Sequence, residues 1–124
     1  MTEQSTSLLD RIRGLFGTGG DGRLGSSVSA TRALELVADG AALVDVRESN
    51  EWRAGHAPQA VHVPLGEIDR APRRLRKDRP VLVVCASGMR SRTGAKHLRS
   101  LGFDAASISG GMAAWQRAGG AVRR

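Results

Sequence analysis

The chain has a single cysteine, Cys85, and the residues that follow it, Ala86-Ser87-Gly88-Met89-Arg90-Ser91, are small, flexible or cationic. A loop of this make-up that enters a helix at once aims several backbone N–H groups at one point above the sulfur, and the positive end of the helix reinforces them. Such a field lowers a thiol's pKa toward the thiolate, which is the nucleophilic form. Gly88 lets the backbone turn with no side chain in the cradle, and Arg90 carries a planar fork suited to an oxyanion. The expected chemistry is nucleophilic attack by Cys85, with Ala86, Ser87, Gly88, Met89, Arg90 and Ser91 as the substrate-binding loop. Cysteine is also among the most buried residue types, so an inert core thiol in an ordinary turn is the competing reading. Against it, Cys85 ends its apolar run and an arginine follows closely. Only Ala86, Ser87, Gly88 and Met89 separate Cys85 from Arg90, one residue fewer than the loop with which tyrosine-specific phosphatases encircle a phosphate. The tighter ring suits a single sulfur atom carried on Cys85 as a persulfide.

The elements that must position this loop are legible on either side of it. Val81-Leu82-Val83-Val84 is uninterrupted and mostly β-branched, as in a strand covered on both faces within a parallel sheet. Cys85 then lies just outside a strand's carboxyl end, where open α/β folds place their chemistry. Ser91 to Leu101 reads as a helix with Ala95, Leu98 and Leu101 inward and Gly102 closing it. Upstream, Ser29 caps a helix from Ala30 to Asp39 with an apolar stripe of Ala33, Leu34 and Val37, and Gly40 ends it. Ala41 to Val46 is a strand ending in Asp45-Val46-Arg47, followed by a short helical stretch with Glu48, Glu51 and Trp52. Ala60 to Pro64 gives another short strand and turn, and Leu65 to Ile68 looks helical. Downstream, Asp104 to Ile108 is a last strand, and Gly110-Gly111 leads into a helix from Met112 to Ala118 that contains Trp115. Helices and strands alternate with short loops, which indicates a small α/β domain with a mainly parallel sheet.

Composition narrows the partners. With 40% hydrophobic and 25% charged residues the chain has the balance of a soluble globular domain. A net charge of +7 favours anions, but aromatics are only 3% and tyrosine is absent, which leaves few base-stacking platforms and argues against nucleic acid. Small anions or an acidic protein partner fit the charge as well. Arg70 to Arg79 holds six basic residues and reads as solvated surface, with steering of an anion as the alternative. One cysteine makes no internal disulfide, and the longest apolar run near the N-terminus, Leu8-Leu9, is far short of a signal-peptide core or a membrane span. The expected location is the cytoplasm, with no transmembrane segment. Residues 1–25 read as a flexible tail: Leu8, Leu9, Ile12, Leu15 and Phe16 fall at helical spacing, which allows a short amphipathic helix, with docking to a membrane surface or a partner protein as the alternative reading, and a glycine-rich linker follows. The domain is expected to span residues 26–122. Two histidines, His56 and His62, without a cysteine or carboxylate cluster at ligand spacing give no metal site, and structural hydrogen bonds are their expected role. Trp52 and Trp115 read as core.

The residues Leu43-Val44-Asp45-Val46-Arg47, Glu51-Trp52, Gly55-His56, His62-Val63-Pro64, Cys85 to Ser91, and Gly110-Gly111-Met112 with Trp115 together resemble a single-domain rhodanese, over roughly residues 27–120. The resemblance implies a three-layer α/β sandwich with a mainly parallel five-stranded sheet flanked by helices, and no cofactor. It implies a sulfurtransferase in which Cys85 takes a sulfane sulfur from thiosulfate or a persulfide and passes it to cyanide or a thiol. Asp45, Arg47 and Glu51 are then expected near the loop, holding it through ion pairs and hydrogen bonds. Many members carry a cation directly after the cysteine, where this chain has Ala86, which opens the question of the donor. A lone cysteine has no internal partner to resolve a persulfide, so the acceptor is expected to be external: glutathione, a thioredoxin-like protein or a sulfur-requiring enzyme. The alternative is a carrier or regulatory module that docks a partner without turnover.

Overall fold

Four consecutive apolar residues cannot present a polar face to water, and in the computed structural model, which describes residues 23–124, they form the centre of the sheet. The strands are β1 (Ser27–Val28), β2 (Ala42–Asp45), β3 (Val61–His62), β4 (Val81–Val84) and β5 (Ala105–Ile108). They are ordered β1-β5-β4-β2-β3 and every pairing is parallel. All four residues of β4 are buried. Burying a Val or Leu side chain is worth roughly 1.5–3 kcal/mol, so the position of the strand that delivers Cys85 is strongly determined.

Side chains alternate along a strand, and β4 therefore contributes to two cores. Val81, Val83 and Cys85 point to a core shared with Ala95 and Leu98 of α3 (Met89–Ser100) and with Ile68 and Ala71 of a 3₁₀ segment (Leu65–Arg74). Leu82 and Val84 point to the other, shared with α1 (Ala30–Ala38) and α4 (Gly111–Arg117), where Trp115 and Met112 are buried. A short α2 (Ser49–Ala54) follows the carboxyl end of β2. The fold is the expected α/β sandwich. Among the described residues no helix is long and apolar enough to cross a membrane.

Several details differ from the sequence reading. β1 was not expected; two residues carry no periodic signal, and the strand exists because Ser27 and Val28 find edge partners in Ser107 and Ile108. Ser29 does cap α1, accepting from the Arg32 N–H at 3.1 Å, but the buried stripe is Ala30, Ala33 and Leu36, with Leu34 and Val37 half-buried. This inward face packs in the same core as Met112 and Trp115 of α4. The 3₁₀ segment, kinked at Glu67, continues through Arg74, into the basic run. Ile68 and Ala71, three apart, anchor it while the arginines remain exposed. Leu101 is only partly buried. The segment from Leu8 to Phe16 lies outside the described residues.

The start of α4 is docked on the chain that bears the cysteine. The Met112 N–H donates to the Cys85 carbonyl at 2.9 Å, and Gly111 adopts φ +61°. A Cβ on Gly111 would collide with the carbonyl groups of Cys85 and Ala86, whereas Gly119, at φ +101°, has open space around it. Gly111→Ala is therefore expected to lose about 3 kcal/mol or more in urea unfolding, and Gly119→Ala only about 1 kcal/mol from backbone strain. Equal losses would show that the contact with the Cys85 strand is not what Gly111 protects.

Candidate active site

Cys85 follows directly on β4 and is wholly buried. The next residues turn sharply because Gly88, at φ +110°, takes a left-handed conformation that only glycine adopts without cost, and α3 begins immediately after it. The turn brings the Gly88 N–H to 3.0 Å and the Ser91 N–H to 3.3 Å from Sγ, and the Ser91 hydroxyl to 3.4 Å. Burial pushes the thiol up, but the Ser91 hydroxyl and the N–H groups of Ser91, Gly88 and Ser87 outweigh it, and the net displacement is downward, toward thiolate. Ala86, Ser87 and Met89 are exposed at the mouth of the loop, and Met89 is 68% exposed, the one large hydrophobic side chain so placed among the described residues.

Arg90 sits elsewhere than expected. Its fork is closed on Glu51, Nη1 donating to Oε1 at 2.7 Å and Nη2 to Oε2 at 2.9 Å, so it is not offered to an oxyanion. Glu51 Oε1 also accepts from the Glu48 N–H at 2.9 Å, which ties the first turn of α2 to the first turn of α3. Asp45 and Arg47 form a second, buried pair beside it. The Arg47 backbone N–H and Nε each donate to Asp45 Oδ1 at 3.0 Å, and Nη2 donates to Oδ2 at 2.8 Å. Nη2 also donates to the Gly55 carbonyl at 2.7 Å, which holds the far end of α2. Glu51 thus contacts the loop directly, and Asp45 with Arg47 reaches it through α2.

His56 and His62 stack on the two sides of Trp52, with ring centroids 3.6 and 4.7 Å away. His56 Nδ1 lies 2.8 Å from the Trp52 carbonyl and His62 Nε2 lies 2.7 Å from that of Arg47. Trp52 is half-buried in this sandwich and not in the core, in contrast to Trp115, because its ring is taken up by the two histidines. Two features escaped the sequence reading. Ser107, on β5, is buried with its Oγ 2.6 Å from that of Ser91; the available signal was a lone hydroxyl in the apolar run Ala105-Ala106-Ser107-Ile108. The C-terminal segment pairs Arg123 with His56 and gives its Ala121 carbonyl to Trp115 Nε1 at 2.9 Å. Together with Arg47, Glu51, Met112 and Gln116, Arg123 lines an open groove of about 480 Å³.

A parallel α/β sheet whose central strand leads into a hydrogen-bonded cysteine defines the class as an α/β domain with a cysteine-bearing loop at the carboxyl end of its sheet. The family model for the rhodanese-like domain matches residues 29–118, and the chain belongs to that family, a sulfurtransferase-type family. A Bacillus subtilis (strain 168) protein named "Putative sulfurtransferase YtwF" is 43% identical over 74 residues, covering 60% of this chain and 72% of that one. The crystal structure of a rhodanese-related protein from Thermoplasma volcanium is 28% identical and superposes with a TM-score of 0.71 over 79% of this chain and 97% of the other. Reduced Bacillus anthracis CoADR-RHD is 26% identical with a TM-score of 0.68 over 75% of this chain, which spans only 17% of that longer protein.

The Glu51–Arg90 pair has a pH signature. Hydrogen bonding from Arg90, opposed by burial and aided by the Glu48 N–H and the charge of Arg47, holds the Glu51 carboxyl down at about 2. A carboxyl depressed in the folded state stabilises the fold above its unfolded pKa of about 4.3, and that contribution fades as pH falls toward the folded value. Glu51→Gln is expected to cost about 1 kcal/mol at neutral pH, allowing for solvent screening of a half-buried pair. In urea unfolding across pH, the gap between wild type and variant should narrow below about pH 5 and close near pH 2; a constant gap would exclude the ion pair as its source.

Proposed function

We propose that the protein is a sulfurtransferase that works through a Cys85 persulfide, with a persulfide as donor and an external thiol as acceptor. The observation that carries the reading is the convergence of the Gly88 and Ser91 N–H groups on Sγ at 3.0 and 3.3 Å, which favours the thiolate in a buried site. In the first half-reaction the Cys85 thiolate attacks the terminal sulfur of a donor persulfide. The donor's S–S bond breaks, its thiolate leaves and takes a proton from water, and Cys85 holds the sulfur as a persulfide anion. In the second, an acceptor thiolate attacks that sulfur, the Cys85–sulfur bond breaks, and the Cys85 thiolate is restored. No net oxidation or reduction occurs over the cycle.

The choice of a persulfide over thiosulfate rests on charge. Ala86 is uncharged, and Arg90 has both arms on Glu51, so the loop offers a doubly negative donor little beyond backbone N–H groups. With one cysteine in the chain, the acceptor thiol has to come from another molecule. The arginine-bearing groove beside Glu51 suits a carboxylate-bearing thiol such as glutathione, and the exposed arginines of the 3₁₀ segment suit an acidic protein acceptor, thioredoxin-like or otherwise. A working free thiol fits a reducing compartment, and we place the protein in the cytoplasm.

Intact-mass measurement tests this directly. A persulfide donor should add one sulfur atom to the wild-type protein, excess glutathione should remove it, and Cys85→Ser should take none. Thiosulfate should load more slowly, and Ala86→Arg should raise its loading rate roughly tenfold, the value of one hydrogen bond to a charged group. No adduct from any donor, or one that persists in Cys85→Ser, would refute the reading; loading that no thiol reverses would make the protein a carrier and not an enzyme.

A further inference from the structure

The buried hydroxyl of Ser107 has no place in the half-reactions above, yet it lies two hydrogen bonds from the sulfur. It sits on β5, on the same side of the sheet as Cys85 and α3, in a strand whose other residues are Ala105, Ala106 and Ile108. Among the described residues its Oγ has one hydrogen-bond partner, Ser91 Oγ at 2.6 Å. Ser91 Oγ is in turn 3.1 Å from the Gly88 carbonyl and 3.4 Å from Cys85 Sγ.

Counting protons orders this cluster. Ser91 has one hydroxyl proton and three neighbours, and the Gly88 carbonyl can only accept. While Cys85 is a thiol, its S–H donates to Ser91 Oγ and the Ser91 proton goes to the Gly88 carbonyl. Once the sulfur is a thiolate, the Ser91 oxygen would face it with a lone pair unless the hydroxyl turns to donate to sulfur. That turn strands nothing, because the Gly88 carbonyl still accepts the Arg92 N–H at 3.3 Å. Ser107 decides whether the proton is free to turn. If Ser107 accepted from Ser91, the single Ser91 proton would be spent on it and the sulfur would lose its hydroxyl donor. If Ser107 donates, it fills a lone pair on Ser91, polarises that hydroxyl and leaves its proton for the sulfur.

We propose that Ser107 is a positioning residue for the reaction, donating to Ser91 so that the Ser91 hydroxyl proton swings between the Gly88 carbonyl and the Cys85 sulfur as the thiol ionises. Ser107 acts only through Ser91 and touches no substrate. The inference rests on Cys85 being the reactive thiolate. The charged groups on the neighbouring elements, Arg90 with Glu51 and Arg47 with Asp45, are paired with each other and are unchanged in the variants below.

The test is the pH profile of Cys85 alkylation by iodoacetamide on the full chain, which requires no sulfur donor. Ser107→Ala should move the inflection up by about half a pH unit, so that alkylation on the acid side falls about threefold. Ser107→Thr, which keeps the hydroxyl, should restore the wild-type profile, while Ser107→Val, of the same shape without the hydroxyl, should behave like Ser107→Ala. Ser91→Ala should shift the profile further, and adding Ser107→Ala to it should change nothing more. An unmoved inflection in Ser107→Ala, equal profiles for the Thr and Val variants, or additive shifts in the double variant would overturn the proposal. Because alkylation reads the thiolate and intact mass reads sulfur loading, failure of this relay and failure of the sulfurtransferase reading give different results.

Discussion

The interaction on which the site depends is the hydrogen bonding of backbone N–H groups to one buried sulfur. Removing a thiol from water favours its neutral form, and without compensation Cys85 would be an inert core residue. The Gly88 and Ser91 N–H groups reverse that preference, and they can do so only because the chain turns through a left-handed glycine straight into α3. Neighbouring elements hold that turn in place at the carboxyl end of the sheet.

The support comes from three directions. From below, β4 is buried on both faces, so the point at which Cys85 emerges has no freedom along or across the sheet. From the side, α4 abuts the Cys85 and Ala86 carbonyl groups through Gly111 and donates its Met112 N–H to Cys85. From the other side, the Glu51–Arg90 pair clasps the first turn of α3 to α2, and α2 is itself held by the buried Asp45–Arg47 pair and by the Gly55 carbonyl. The arginine of the loop therefore contributes its charge near the sulfur while its hydrogen bonds are spent on the scaffold. The residues exposed at the mouth of the loop, Ala86, Ser87 and Met89, are themselves uncharged.

How much of this could be read in the sequence follows from which interactions are local. The β4 run and the glycine-bearing loop declare themselves in a few consecutive residues, and the alternation of elements gives the parallel sheet. The motifs around Asp45, Glu51 and Gly110 pointed to the family that the comparison with known proteins shows. What the sequence could not show depends on distant pairing. The destination of the Arg90 fork is set by Glu51, 39 residues away, and nothing in the loop itself indicates it. Ser107 meets Ser91 only because β5 lies beside β4 in the sheet, and β1 exists only because β5 offers it an edge. Trp52 looked like core by residue type, but its place is decided by two histidines that stack on it from separate elements.

The central claim is that hydrogen bonding overcomes burial and shifts Cys85 toward the thiolate. Titrating the ultraviolet absorbance of the thiolate in the intact, sulfur-free protein measures that balance, and with one cysteine in the chain the signal has a single source. The account predicts an inflection below the ordinary thiol value of about 8.5, and its absence in Cys85→Ser. An inflection at or above that value would mean that desolvation wins and that the loop does not activate the sulfur.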